Sequence, residues 1–247
     1  MFTKHDGPGP EPIGFLLVPQ FSMMAFFSAV EPLRVANRLA GRPLFSWHLF
    51  SVDGEPVEAS NGIGTVVEAP VERFVAMPTL VVCAGFEPER YATRPLLAAL
   101  RRVFREGATL VALDTGAHLL ARAGLLAGVR ATMHWEAVAG FREDFPDIEV
   151  SDELFEVSGR IVTCAGGTAA LDLMLDMIRL KHGEALAVAV SEQFIHDRIR
   201  DRSAHQRMQL STRLGVTNGR VLRIVETMER TLERPLDGRA LAAVAGV

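Results

Sequence analysis

Cysteine is scarce in this chain, and long apolar runs are missing. Its 247 residues include only Cys83 and Cys164, each within an apolar, strand-like run. Two such thiols suit a reducing compartment better than a disulfide framework, which requires paired cysteines and an oxidising one. No run of about eighteen apolar residues is present, although a bilayer-spanning helix would need one. The sequence therefore predicts a soluble, cytoplasmic protein and excludes disulfide-rich and membrane-spanning classes.

The spacings typical of metal sites are also missing. Neither cysteine belongs to a CxxC pair, and none of the seven histidines falls in an HExxH pattern. We therefore predict neither a metal nor another cofactor. Residues 1–12 lack the apolar stretch of a secretory signal and are rich in Gly and Pro, which predicts a disordered leader.

The net charge of −4 is unevenly distributed along the chain. Residues 1–196 carry 16 basic and 24 acidic side chains, a sum of −8, whereas residues 197–247 carry 10 and 6, a sum of +4. A basic tail on an acidic body indicates that any nucleic-acid contact belongs to the tail. A chance surplus of arginine in a linker would give the same numbers, and charge alone does not separate the two readings.

Apolar runs of strand length alternate with stretches of helical periodicity. The strand-like runs are 13–19, 44–52, 64–71, 79–84, 110–113 and 160–164. Helical spacing is clear at Leu96, Leu100 and Val103, which fall on one helix face, and Ser22 is a plausible N-cap for a helix over 23–39. This order predicts an α/β domain with a mostly parallel sheet and helices on both faces.

Three strand-to-helix turns are the first places to look for a ligand. Gly85, Asp114 and Gly166 each follow a predicted strand. Ligands of open parallel sheets bind outside the carboxyl ends of the strands, where these turns meet. The sequence therefore predicts a binding site around them.

The pattern changes near His196, where an arginine-bearing stretch begins. We predict a linker over 196–218 and a helix from Gly219 to Arg234 that ends at Pro235. Val221, Val225, Met228 and Leu232 share one face of that helix, and Ala242 and Gly246 have the spacing of a helix-turn-helix. The predicted domains are thus 13–195 and 219–247.

Several segments together resemble one family over nearly the whole chain. The segments VDGEPVEASNG, DTGAHLLARAGLLAG, RATMHWEAVAGFREDFP and IVTCAGGTAALDLMLDMI resemble the PfpI/ThiJ domain of GlxA-type regulators. Residues 219–247 resemble the start of an AraC/XylS DNA-binding domain, cut short within its helix-turn-helix. The resemblance implies a flavodoxin-like, class I glutamine amidotransferase-like fold and a homodimeric transcription regulator. SEQFIHDRIR followed by QRM resembles the regulators that sense arginine, carnitine or glycine betaine.

The resemblance also implies that a catalytic group has been lost. Catalytic members carry a cysteine at the sharp strand-to-helix turn, and Asp114 stands at that position here. A carboxylate there cannot do the work of a thiolate, and the next residue, Thr115, is no base. The inference is a non-catalytic ligand pocket rather than an enzyme. Asp114 either caps the following helix or both caps it and contacts the ligand.

Further pocket residues are assigned through the same resemblance. Glu31 matches a helix-borne glutamate directed at the turn, and its alternative role is a surface charge. Gly85, Thr115 and the run His134, Trp135 and Glu136 would line the pocket, with packing as the alternative for His134. Two carboxylates in one pocket favour a cationic effector, which Trp135 or Phe21 could hold by cation–π contact.

We expect any DNA contacts to be made by the basic C-terminal residues. Arg220, Arg223 and Arg239 are candidates for phosphate contacts, although Glu226 or Glu229 could instead pair with one of them. Because the reading helix would follow Val247, we expect this chain to bind DNA weakly or not at all. The alternatives are a PfpI-class enzyme, such as an isocyanide hydratase or amidase using Cys164, and a ligand-free scaffold.

Overall fold

The structure, a computed structural model, describes residues 7–75, 77–231 and 234–246. It divides into two compact units between Gln206 and Arg207. Residues 1–6 of the predicted leader, Leu232 of the predicted helix face and Val247 lie outside the described residues. Within the described residues, no helix is both long and apolar enough to span a bilayer.

The first unit alternates strands and helices. Its strands are β1 Glu11–Leu17, β2 Phe45–Ser51, β3 Val57–Glu58, β4 Gly64–Thr65, β5 Ala69–Pro70, β6 Thr79–Cys83, β7 Thr109–Leu113, β8 Phe155–Ser158 and β9 Ile161–Cys164. Its helices are α1 Met23–Leu39, α2 Pro88–Tyr91, α3 Arg94–Arg105, α4 Gly116–Arg122, α5 Val138–Asp144, α6 Ala169–His182 and α7 Glu184–Gln193.

The central sheet has the order β5-β2-β1-β6-β7-β9-β8. Every neighbouring pair is parallel except β8 and β9. Successive side chains of β1 enter opposite cores: Phe15 packs in the cluster that includes α1 and α6, and Leu16 packs in the one that includes α3 and α4. Burial on both faces explains the continuous apolar runs and confirms the predicted mostly parallel α/β class.

Two predicted boundaries of the first unit need correction. β1 begins at Glu11, within the predicted leader, because the buried Glu11 carboxylate accepts from Lys181 Nζ at 2.9 Å and its backbone joins the sheet. The predicted linker begins too early, since His196 and Arg200 are both bound to Asp172 of α6. Residues 196–206 therefore belong to the first unit.

Two other sequence predictions differ locally from the structure. The strand predicted over 64–71 is two short strands, because β4 pairs with β3 outside the main sheet and β5 pairs with β2. β8 was not predicted, since its run FEVS carries two polar residues and the antiparallel edge position gives it only one strand neighbour.

The second unit contains the helices α8 Leu210–Leu214, α9 Gly219–Arg230 and α10 Gly238–Ala245. Side chains cap two of them, since Asn218 accepts from the Arg220 amide and Asp237 accepts from the Ala240 amide. α9 ends before the predicted Arg234, because Thr231 leaves the helical conformation with φ −118° and ψ 26°. α9 and α10 pack against each other, as two helices of a helix-turn-helix segment would.

Candidate functional site

Asp114 occupies a sharp turn between β7 and α4. Its φ is 60°, in the left-handed region that non-glycine residues rarely adopt. Two backbone hydrogen bonds hold the turn: the Asp114 amide donates to the Cys164 carbonyl at 3.0 Å, and the His134 amide donates to the Asp114 carbonyl at 3.4 Å. The turn is thus fixed by β9 on one side and by the loop before α5 on the other, and it positions the Asp114 carboxylate.

Gly166 gives the turn the space it needs. A Cβ atom at Gly166 would lie 2.8 Å from the Asp114 Cβ and 2.9 Å from its Oδ2. Contacts this short force the backbone or the carboxylate to move. The glycine of the β9–α6 turn is therefore part of the Asp114 site.

Gly166→Ala is expected to destabilise the protein by about 1–3 kcal/mol beyond the matched variant Gly167→Ala. Both glycines have positive φ, but a Cβ at Gly167 would meet nothing within 4 Å. The pair therefore separates the clash with Asp114 from the cost of a side chain at positive φ. Urea unfolding of the two variants measures the difference, and equal stabilities would contradict the assigned contact.

A cleft of about 440 Å³ opens beside Asp114. Its lining residues come from the turns after β1, β6 and β7, from the turn between β3 and β4 and from the loop before α5: Ser22, Ser60, Gly85, Phe86, Glu87, Pro88, Asp114, Thr115, His134, Glu136 and Ala137. Thr115 Oγ1 donates to the Gly85 carbonyl at 2.5 Å and joins two of these turns. The cleft lies at the carboxyl ends of parallel strands, as the sequence predicted for a ligand site.

Burial raises the pKa of Asp114 to about 6. The positive field of His134 and hydrogen bonds from the Thr115 amide and the Ser22 hydroxyl oppose this rise, whereas the negative charge of Glu136 adds to it. Because Thr115 occupies the N-cap position of α4, Asp114 is not simply that helix's cap. At neutral pH the cleft thus holds a mainly ionised, poorly hydrated carboxylate, which a cation would stabilise.

Acidic groups outnumber basic ones around the cleft. Asp114, Glu87 and Glu136 line it together with one imidazole, that of His134. Arg90 binds the Glu87 carboxylate at 2.6 Å from one helical turn away, and His134 Nδ1 lies 3.8 Å from Glu136 Oε2. The remaining negative charge favours a positively charged ligand.

The structure brings together most of the predicted pocket residues. Gly85, Asp114, Thr115, His134 and Glu136 all line the cleft. Sequence reasoning did not identify the lining residues Ser22, Ser60, Phe86, Glu87, Pro88 and Ala137. Ser22 was recognised only as a helix cap, and it does accept from the Ala25 amide at 3.3 Å.

The placement of Glu31 in the pocket is wrong. Glu31 is not among the lining residues, and its Oε2 accepts from Arg34 Nε at 2.9 Å and from Arg34 Nη2 at 2.6 Å. α1 buries its face through residues such as Val30 and Leu33, which leaves Glu31 beside the exposed Arg34. The alternative role, a surface charge, is the one observed.

The two aromatic residues predicted for cation–π contact do not line the cleft either. Phe21 is fully buried, with its ring edge-to-face against Phe26 at 5.8 Å. Trp135 is 42% exposed and packs its ring against that of His134, with the centroids 5.6 Å apart. The aromatic lining residue is instead Phe86, which is 63% exposed. His134 both packs against Trp135 and lines the cleft.

Neither cysteine is placed as a nucleophile. Both are free and buried, and burial raises the pKa of Cys164 to about 12 and that of Cys83 further. Thiolates attack and neutral thiols do not, so such groups are inert. Within the described residues, no group of three histidine, cysteine or carboxylate side chains could hold a metal ion.

The candidate DNA-contacting arginines lie on exposed positions of the second unit. Arg220 and Arg223 belong to α9 and Arg239 to α10. The alternative pairing with Glu229 is not observed, because that carboxylate accepts from Arg213 of α8 at 2.7 Å. These arginines remain candidates for phosphate contact.

Comparisons with known proteins extend over nearly the whole chain. Residues 13–180 match the DJ-1/PfpI family. The chain is 51% identical over 228 residues to the HTH-type transcriptional regulator CdhR of Pseudomonas aeruginosa. These aligned residues cover 92% of this chain and 68% of the relative. It is 42% identical over 238 residues to the HTH-type transcriptional regulator GbdR of Pseudomonas aeruginosa, covering 96% of this chain and 65% of the relative. The chain thus spans about two thirds of the length of these relatives.

Two further comparisons bear on the fold and on enzymatic activity. A crystal structure of an AraC family transcriptional regulator from Pseudomonas putida matches with a TM-score of 0.66 and 29% identity, covering 75% of this chain and 100% of that one. The isonitrile hydratase of Pseudomonas putida is 31% identical over 170 residues, which cover 67% of this chain and 69% of the enzyme. The comparisons therefore include both regulators and an enzyme on this fold.

Proposed function

Because the chain belongs to the DJ-1/PfpI family and is similar to HTH-type transcriptional regulators, we propose that it is the effector-sensing part of a DNA-binding regulator. The effector is a small cation, such as a quaternary amine or a guanidinium compound, and it binds in the cleft beside Asp114. The observation that supports this most is the Asp114 carboxylate itself, desolvated at the turn with Glu87 and Glu136 at the same cleft.

An enzyme is the alternative, and the chain's own residues disfavour it. Asp114 stands at the turn, and Cys164 is completely buried with a high pKa. Neither side chain supplies the accessible thiolate that the resemblance assigns to catalytic members of this fold. DNA binding through α9 and α10, and assembly as a homodimer, are proposed from the similarity to the regulators.

A thermal-shift screen tests the effector class. Glycine betaine, carnitine and arginine are compared with isosteres in which one cationic group is replaced by a neutral one: 3,3-dimethylbutanoate lacks the quaternary ammonium of glycine betaine, and citrulline lacks the guanidinium of arginine. A true effector at a hundredfold excess over its Kd should stabilise the protein by about 2.7 kcal/mol, a rise in Tm of about 5–10 °C. The isosteres without the quaternary ammonium or guanidinium group should give no shift.

Two variants assign the response to the cleft. Asp114→Asn should cut the stabilisation to about 1.4 kcal/mol or less, because loss of the counter-charge weakens binding at least about tenfold. Glu31→Gln should leave the shift intact, since Glu31 is paired with Arg34 outside the cleft. Equal shifts in the wild type and in Asp114→Asn, or shifts with the isosteres that lack the quaternary ammonium or guanidinium group, would count against the proposed function.

A further inference from the structure

Gln206, the last residue of the first unit, is hydrogen-bonded to residues that immediately precede the cleft-lining His134. Its Nε2 lies 3.0 Å from the Met133 carbonyl oxygen, 3.1 Å from Thr132 Oγ1 and 3.1 Å from the Glu153 carbonyl oxygen. Because two of these three neighbours are carbonyls, which only accept hydrogen bonds, the carboxamide must present its NH₂ group to them. Gln206 therefore acts here as a donor.

The residues that Gln206 contacts lead directly into the cleft. Thr132 is anchored to the sheet, since its amide donates to Thr163 Oγ1 at 2.8 Å. Two residues later, the His134 amide donates to the Asp114 carbonyl, and the His134 side chain lines the cleft. Residues 132–134 thus connect Asp114 and the cleft with the amide group of Gln206.

The side-chain oxygen of Gln206 lacks the partners that its NH₂ group has. Gln206 Oε1 is buried and has no hydrogen-bond partner among the described residues. Leaving a buried amide oxygen without a donor is unfavourable. An apolar side chain of the same size would fill this space without that unfavourable oxygen. We therefore attribute the presence of an amide here to the hydrogen bonds that its NH₂ group makes with Thr132, Met133 and Glu153.

Further contacts hold the chain ahead of Gln206. His196 and Arg200 bind Asp172, and the Leu154 amide donates to the Arg202 carbonyl at 2.8 Å. Gln206 is the last residue before the second unit starts at Arg207. Its hydrogen bonds therefore contribute to how firmly the chain is held where it enters that unit.

We infer that Gln206 couples the cleft to the start of the second unit. A ligand that moves residues 132–134 changes the three hydrogen bonds of Gln206 and with them the freedom of the chain at Arg207. The inference rests on the proposed function only in taking the cleft as the effector site. Gln206 is a positioning residue, and it is not itself among the residues that line the cleft.

A double-mutant cycle on the ligand-free chain tests the coupling. The readout is the rate of tryptic cleavage after Arg207 under native conditions, with the products identified by mass. His134→Gly loosens the cleft wall and should speed this cleavage about two- to fivefold in the wild-type background. In a Gln206→Met background, where the volume is kept and the donors are lost, His134→Gly should have no further effect.

A matched background and a folding check keep the cycle decisive. Ser203→Ala removes only the hydrogen bond that the Ser203 hydroxyl donates to Asp201 Oδ1 within the exposed turn, so the effect of His134→Gly should persist in it. Should Gln206→Met fail to fold, Gln206→Asn replaces it, because its amide is one methylene too short to reach Met133. The same acceleration in every background, or none in the wild type, would overturn the coupling. Because the cycle uses no ligand, its outcome does not depend on the effector. A protein that fails to respond to cations would contradict the proposed function but not the coupling through Gln206.

Discussion

Asp172→Ala is expected to lower the free energy of unfolding by about 3–5 kcal/mol, because it leaves a charged arginine without its buried partner. Asp172 lies on α6 and has no exposed surface. Its oxygens accept from the Arg200 amide at 2.7 Å, from Arg200 Nε at 2.9 Å and Nη2 at 2.6 Å, and from His196 Nε2 at 3.0 Å. One carboxylate thus attaches residues 196–206 to the first unit.

Asp176→Ala is the matched control on the same helix. Asp176 pairs with Arg179 one turn away near the surface, a kind of pair that contributes about 1 kcal/mol or less. Thermal unfolding should show a fall in Tm of about 10 °C for Asp172→Ala and little change for the control. Similar small effects in both variants would show that residues 196–206 do not depend on Asp172.

Asp114→Asn is expected to stabilise the protein at pH 7.5 by up to about 3 kcal/mol. The folded-state pKa of Asp114 is about 6, above the usual value of 3.8, so the folded protein keeps a proton that the unfolded chain releases. Stability is therefore lost as the pH rises from about 4 to about 6, and the full penalty remains above that range. Asparagine does not ionise, so the Asp114→Asn variant does not lose this stability.

The pH dependence separates this effect from a general change in packing. At pH 4.5 the advantage of Asp114→Asn over the wild type should shrink to about 1 kcal/mol, since both forms are then largely uncharged when folded. Glu136→Gln, at a more exposed carboxylate of the same cleft, should show little change at either pH. Urea unfolding at the two pH values measures both variants, and an Asp114→Asn effect independent of pH would rule out the electrostatic origin.

The central part of the fold could be predicted because its strands are buried on both faces. β1, β6, β7 and β9 are short, continuous apolar runs, and each has a turn signal after it. β8 and the boundary at residue 196 could not be predicted in this way. The antiparallel edge strand has no comparable run, and residues 196–206 are polar residues held by Asp172, whose role depends on contacts distant in sequence.

The site could be predicted only where the backbone fixes it. Asp114 and Gly85 lie directly after strands, so the sheet determines their position, and the comparisons confirm the family resemblance that drew attention to Asp114. Glu31 was misplaced because the family resemblance that placed it does not show which way α1 is rotated, and Arg34 holds it on the outer face. Glu87 was missed because it precedes the short helix α2, at φ 51°, without an apolar pattern to mark it.

Calorimetric titration with the best cation from the screen tests the central claim, that the Asp114 carboxylate is a receptor for positive charge. We expect the affinity of the wild type to rise between pH 5 and pH 7 as Asp114 ionises, and Asp114→Asn to bind at least about tenfold more weakly at pH 7 with no such rise. Equal affinities for the two proteins at pH 7 would contradict it.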